Sequence, residues 1–224
     1  MWWLAVFGVA WSASPPLGQY ALKTEVVTQS QIPVLGQNRV VTTTRALLTV
    51  SEQDGRVEAL QLTCSVDVQS TSRTDTVIPE AFVAALPPVV YQVVSGLDGF
   101  HFASGVQRVG LEHPVGTLPR SANDPAVLDT DGDGHPGATV TLDNPWVGAV
   151  HIYVVQQTET VLSGRSTTDG ALGQVEIVAL TQRTLGASNP LFAVTPKLWP
   201  EAGESRFWMT ALEPGATCAD LSET

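Results

Sequence analysis

The sequence predicts an all-β fold, a single antiparallel β-barrel or β-sandwich with one short helix. Three observations predict it. Apolar and polar residues alternate over many segments of roughly ten residues, tight-turn signals join these segments, and no internal repeat or linker divides the chain. The length of 224 residues fits one domain of this class.

The clearest strand covers residues 57–68, in which apolar residues alternate with polar ones from Leu60 onward. A period of two is typical of a half-buried strand with one solvent-facing side. Residues 38–50 form its predicted antiparallel partner, because Asp54-Gly55 between the two segments favours a tight hairpin turn.

A second hairpin is predicted over residues 147–162 and 173–185, which flank the turn sequence Thr168-Asp169-Gly170. Further strands are predicted at residues 20–28, 89–94, 99–109, 138–142 and 205–211. Many strands joined by short turns favour a barrel, whose inward side chains could line a cavity. The side chains expected to face inward are Leu60, Leu62, Val66, Val150, Ile152, Val154, Val175 and Ile177.

One or two helical turns are predicted over residues 79–86, where Phe82 and Leu86 share a face and Pro79 suits a first-turn position. Two proline-rich segments are predicted to be irregular. Residues 112–128 form an excursion between strands, and the prolines at 190, 196 and 200 mark a second long loop.

The excess of acidic residues limits the classes of binding partner that can be expected. Eleven lysines and arginines stand against 22 aspartates and glutamates, which gives a net charge of −11 with neutral histidines. Such a chain repels phosphate backbones and anionic membrane surfaces. We therefore expect no nucleic-acid partner, and the sequence predicts no particular oligomeric state.

The N-terminus resembles a secretory signal. Residues 2–11 are apolar, small residues follow at 12–14, and Pro15-Pro16 comes next. The apolar run is about half the ~20 residues that a membrane-spanning helix needs, so no membrane span is expected. We predict a signal peptide over residues 1–13 and one β domain over residues 14–224, exported to the periplasm, the cell surface or the medium. The alternative is a tryptophan-rich strand packed on the core.

Cys64 and Cys218 are the two cysteines of the chain. In an exported protein a pair of cysteines predicts one disulfide, which here would tie the C-terminal tail to an early strand. The alternative is a buried free thiol at Cys64 and an exposed one at Cys218.

An acidic loop over residues 129–137 carries the clearest chemical signal. Asp129, Asp131 and Asp133 alternate with small residues, so a tight turn could direct three carboxylates at one hard cation. The spacing, together with Gly134, resembles the first half of the calcium loops in EF-hands, dockerins and thrombospondin type 3 repeats. The resemblance implies side-chain ligands from the three aspartates, a sharp turn at Gly134 and a backbone carbonyl ligand from His135.

The resemblance ends at the twelfth position, where Val140 replaces the bidentate glutamate of an EF-hand. We expect the remaining ligands from water or from Asp143, Asp124, Asn123 or Glu112. The prediction is a structural calcium ion that holds the excursion against the start of a strand. The alternative is a solvated loop whose aspartates and glycines favour turn geometry alone.

Signatures of catalysis are lacking in the sequence. The four histidines show no HExxH or HxH spacing, and no GxSxG, GxGxxG or phosphate-binding loop occurs. No catalytic residue is therefore assigned. The first functional expectation is a non-enzymatic carrier that binds a hydrophobic or amphipathic small molecule, such as a lipid, inside the barrel. The alternatives are a structural or adhesive cell-surface module and a carbohydrate-active hydrolase with two carboxylates facing each other across a cleft.

Overall fold

The computed structural model describes residues 15–32, 36–96 and 98–221. In these ranges the chain forms a twelve-stranded antiparallel sheet, one short α-helix, α1, at Glu80–Ala85, and two single-turn 3-10 helices at Pro190–Phe192 and Cys218–Leu221. The strands are β1 (Gly18–Ile32), β2 (Gly36–Gln53), β3 (Arg56–Ser70), β4 (Asp75–Val77), β5 (Val89–Gly96), β6 (Gly99–Ser104), β7 (Gln107–Val109), β8 (Ala138–Asn144), β9 (Gly148–Thr167), β10 (Gly170–Ala187), β11 (Lys197–Pro200) and β12 (Arg206–Leu212). The signal peptide predicted for residues 1–13 lies outside the described residues.

Eight strands close into a ring. Each pairs with the next in the order β1, β2, β3, β5, β6, β9, β10, β12, and β12 pairs again with β1. Every pairing is antiparallel, and closure leaves no free strand edge in this ring. The predicted all-β antiparallel fold is confirmed.

The longest strands continue beyond this ring to a second level. There β4 and β8 bridge β3 to β9, through the pairs Val68↔Thr76 and Thr76↔Leu142 and through the pairing of β8 with β9. β11 lies beside β1, and β7 lies beside β9. Among the described residues, no helix combines the length and the apolar character that a membrane crossing requires.

Aromatic side chains fill the interior of the eight-stranded ring. Phe100, Phe102 and Phe207 are fully buried, and their ring centroids lie 5.0 Å (Phe100 to Phe102) and 6.5 Å (Phe100 to Phe207) apart. A Cβ atom on Gly164 would lie 2.5 Å from the Phe207 ring, and one on Gly173 would lie 2.7 Å from it. Glycine at these two positions therefore makes room for the ring. The apolar interior at this level is therefore a packed core.

One polar pair is buried in this core. The Tyr91 hydroxyl donates a hydrogen bond of 2.9 Å to the side-chain oxygen of Gln61. Burial raises the pKa of Tyr91 to about 12, and a hydrogen bond with Thr160 lowers the pKa by a smaller amount. Tyr91 is therefore neutral in the folded protein, and its hydroxyl has the partner that a buried polar group needs.

The predicted orientation of β3 is wrong in its first half. Leu60 and Leu62 are 48% and 46% exposed, whereas Ala59 and Gln61 are 0% and 8% exposed and face the interior. The cause is a β-bulge at Cys64, which has no residue opposite it on β2. The extra residue shifts the alternation by one position, so residues before the bulge face the side of the sheet opposite to the one that the sequence pattern predicts. The apolar and polar alternation itself continues through the bulge without a break.

Two short strands lie where the sequence indicates loops or no strand at all. β4 has three residues, too few for an alternating pattern, and β11 lies in the proline-marked segment that was predicted to be a loop. β11 tolerates Pro200 because the proline is its last residue. The predicted strand at residues 99–109 is divided into β6 and β7.

A disulfide joins Cys64 to Cys218, as predicted, with the two Cα atoms 5.3 Å apart. It holds the C-terminal tail against the outer face of β1 and β2. There the buried Leu221 packs with Ala21 and Leu47. The tail thus covers apolar surface outside the barrel, in addition to the core within it.

Candidate metal site

In the structure the excursion is longer than the predicted residues 112–128: it covers residues 110–137, between β7 and β8, and lies on the outer face of β9. Its buried residues Leu111 and Leu118 pack on Val155 of β9. The Gln157 side chain accepts a hydrogen bond from the Val115 amide at 2.6 Å and donates one to the Val115 carbonyl at 2.8 Å. Apolar packing and a two-point hydrogen bond therefore fix the excursion to the sheet.

The acidic loop closes at a neck of backbone hydrogen bonds. The Thr130 amide donates to the Gly137 carbonyl at 2.8 Å, and the Gly137 amide donates to the Leu128 carbonyl at 3.1 Å. A Cβ atom on Gly137 would lie 2.3 Å from the Val154 carbonyl oxygen, and its φ is +88°. Glycine is thus required where the loop rejoins the sheet.

The turn brings the three predicted carboxylates together. The ligand atoms of Asp129, Asp131 and Asp133 all lie within 4.8 Å of one another. Asp129 accepts hydrogen bonds from two loop amides, Gly132 at 2.8 Å and Gly134 at 2.9 Å. Both glycines have positive φ, which lets their amides point back at this carboxylate.

The other two carboxylates are linked to β8 through Thr139. Asp131 Oδ2 accepts a hydrogen bond from the Thr139 amide at 2.8 Å, and Asp133 Oδ2 accepts one from the Thr139 hydroxyl at 2.5 Å. Asp133 Oδ1 accepts a third from the His135 amide at 2.8 Å. Sequence reasoning assigned Thr139 only to a strand, because its bonds to the aspartates depend on how the loop folds back.

One carboxylate oxygen is left without a partner. Asp131 Oδ1 is buried and accepts no hydrogen bond within residues 15–32, 36–96 and 98–221. A buried carboxylate oxygen in this state is unfavourable, because it has lost water and gained nothing in exchange.

The ionisation of Asp133 also suits a cation. Burial raises the pKa of its carboxyl, but hydrogen bonds from Thr139 and the His135 amide lower it, as do the charges of His135 and His151. The net result is a pKa below the ordinary value. Asp133 is therefore a carboxylate at neutral pH, and it repels its neighbours by about 1 kcal/mol per charge pair at 4 Å in water.

This donor set fits a hard divalent cation. All the side-chain atoms that converge are carboxylate oxygens, which hard cations prefer as ligands. A carboxylate oxygen can coordinate a cation through one lone pair while it accepts a hydrogen bond through the other. The hydrogen bonds hold each carboxylate in place before a cation arrives. The Asp129, Asp131 and Asp133 cluster could therefore hold a metal ion.

The other side chains that can be compared with the cluster lie outside it. The His135 ring is outside the cluster and stacks on Tyr153, with centroids 4.3 Å apart and planes at 16°. The carboxylates of Asp143, Asp124 and Glu112 are also outside it among the described residues, and Asp124 accepts a hydrogen bond from the Ala126 amide at 3.0 Å. The His135 backbone carbonyl and Asn123 remain predicted ligands.

Two further histidine contacts occur on exposed faces of the strands. His101 Nδ1 lies 2.8 Å from the Ser163 hydroxyl, and His151 Nδ1 lies 3.1 Å from the Thr141 hydroxyl. Among the described residues, neither contact includes a carboxylate.

Comparisons of this chain with protein-family models, with curated proteins and with solved structures find no match. The chemistry of the acidic loop is therefore inferred from the geometry of the loop itself.

Proposed function

We propose that the acidic loop binds one calcium ion, which braces the excursion against an exported β-barrel domain. The observation that carries the proposal is the convergence of Asp129, Asp131 and Asp133 around a buried, unpartnered oxygen of Asp131. An all-oxygen donor set favours calcium over zinc. An affinity on the order of 10⁻⁴ to 10⁻³ M is expected, as in other extracellular calcium modules.

The ion would act by linking two parts of the chain. Asp131 and Asp133 both bind Thr139, the second residue of β8, so a cation shared by the trio connects the loop to the sheet. The same excursion covers the fully buried Val155 with Leu111 and Leu118. Without a cation, repulsion among the three carboxylates favours opening of the loop and exposure of this apolar contact.

For the domain as a whole, we propose a structural or adhesive module at the cell exterior. The packed aromatic interior of the ring supports this function over a carrier with an apolar cavity. Exposed apolar side chains also form cross-strand pairs on the outer face, Leu60 with Val90 and Leu172 with Trp208. The disulfide supports export, because disulfides persist mainly in oxidising compartments.

Thermal unfolding with calcium and with a chelator tests the brace. At a calcium concentration about ten times the Kd, the Tm of the wild-type protein is expected to rise by about 3–6 °C over the chelated protein. Asp131→Asn should abolish most of this rise, because it removes one charged ligand. Circular dichroism or differential scanning calorimetry provides the measurement.

Asp143→Asn is the matched control for this experiment. Asp143 lies on β8 but outside the carboxylate cluster, so this variant should retain the calcium response of the wild-type protein. A wild-type Tm that is the same in millimolar calcium and in chelator would contradict the proposed brace.

A further inference from the structure

A groove of about 570 Å³ lies on the barrel surface, between the excursion and strands β9, β10 and β11. Its volume is in the range of small-molecule sites. The residues that matter for the argument are Val115, Leu118, Gln157, Arg183, Pro196 and Leu198. It is separate from the acidic loop, whose three aspartates do not line it.

The walls of this groove are held in place before any ligand binds. Gln157 on β9 makes both of its hydrogen bonds to Val115, one with the amide and one with the carbonyl. Leu118 is buried against Val155 on the same part of β9. The excursion therefore forms a fixed wall of the groove, as expected of a binding site that exists without its ligand.

Arg183 supplies a positive charge to the groove that forms no ion pair among the described residues, although Glu159 lines the same groove. It lies on β10 opposite Val155, and its Nε atom is buried without a hydrogen-bond partner in the part of the chain that the structure describes. The ion pairs found there, Lys23 with Glu25 and Arg39 with Glu204, do not include it. The Arg183 side chain as a whole is half-buried and lines the groove, so a ligand carboxylate in the groove can supply the counter-charge that the described residues do not.

The chemistry of the groove identifies the class of ligand. A guanidinium pairs with a carboxylate through two parallel hydrogen bonds. Glu159 also lines the groove, and the chain carries a net charge of −11, so a second negative charge on the ligand would be repelled. Val115, Leu118, Pro196 and Leu198 offer apolar contacts to the rest of the molecule.

We propose that this groove binds a small monocarboxylate with an apolar body, whose carboxylate pairs with the Arg183 guanidinium. The ligand lies outside the barrel, so its binding needs no space in the packed interior. The site uses none of the three aspartates, but one of its walls is the excursion that the proposed calcium ion braces, so the titration below is carried out with calcium present.

Titration with octanoate, followed by methyl NMR of the full chain, tests the proposal. Octanoate should shift the methyl signals of Val115, Leu118 and Leu198. Octanamide, which has the same apolar body without the charge, should bind the wild-type protein at least about tenfold more weakly. Arg183→Gln should weaken octanoate binding by a similar factor, whereas Arg56→Gln, at an exposed arginine outside the groove, should leave it unchanged.

Three results would overturn the proposal. They are equal binding of octanoate and octanamide, absence of shifts at the groove methyls up to millimolar octanoate, and shifts confined to the interior methyls of Leu22 and Leu48. The last would instead support a carrier with an internal site. If Arg183→Gln fails to fold, the comparison of octanoate with octanamide on the wild-type protein decides alone.

Discussion

Phe207→Ala is expected to lower the free energy of unfolding by about 3–5 kcal/mol. The Phe207 ring is fully buried and lies between the Phe100 ring and the glycine surface of Gly164 and Gly173. Removing the ring leaves a cavity that a closed barrel cannot collapse to fill, since its strands are paired on both sides. Equilibrium unfolding in urea measures the change.

Trp208→Ala is the matched control, because Trp208 is the next residue on β12 and points outward, 38% exposed. Its described partners are Lys23, whose Nζ lies 5.3 Å from the ring centroid, and its cross-strand neighbour Leu172 on β10. The loss expected for this variant is less than about 1 kcal/mol. Equal losses for the two variants would show that the interior of the ring is not the main source of stability.

Replacing both Cys64 and Cys218 with alanine is expected to lower the free energy of unfolding by about 2–5 kcal/mol. The bond closes a loop with a sequence separation of 154, so it strongly restricts the unfolded chain. In the folded protein it also holds Leu221 against Ala21 and Leu47. Loss of the bond should therefore also make the tail after β12 more susceptible to proteolysis.

Reduction of the wild-type protein provides the control for this pair of substitutions. Reduced wild-type protein and the double alanine variant should unfold at similar urea concentrations, because both lack the covalent link and differ from each other only in the two thiol groups. Stability of the double variant equal to that of the oxidised wild-type protein would contradict the stabilising role of the bond. Cleavage sites within β1 or β2, rather than in the tail, would contradict the proposed tethering.

The strand pattern could be predicted because it depends on local chemistry. The β2 to β3 hairpin follows from Asp54-Gly55, which adopt φ values of +52° and +74° as a tight turn of this kind requires. The orientation of Leu60 could not be predicted in the same way. It depends on the bulge at Cys64, and a bulge leaves no mark in an alternating pattern until the pairing with β2 is known.

The acidic loop was likewise predictable in part from the sequence. The convergence of Asp129, Asp131 and Asp133 is a property of short spacing and flexible glycines, so the sequence was sufficient to predict it. The contribution of Thr139 depends on the loop folding back onto β8. The groove at Arg183 could not be predicted from the sequence, because its walls come from segments that are distant in sequence and meet only in the folded chain.

A crystal structure obtained in the presence of calcium, with anomalous diffraction data, tests the proposed brace most directly. The expected result is one anomalous peak among Asp129, Asp131 and Asp133, at about 2.3–2.6 Å from an oxygen of each and in contact with Asp131 Oδ1. A loop with no anomalous peak, in which Asp131 Oδ1 contacts only water, would contradict it.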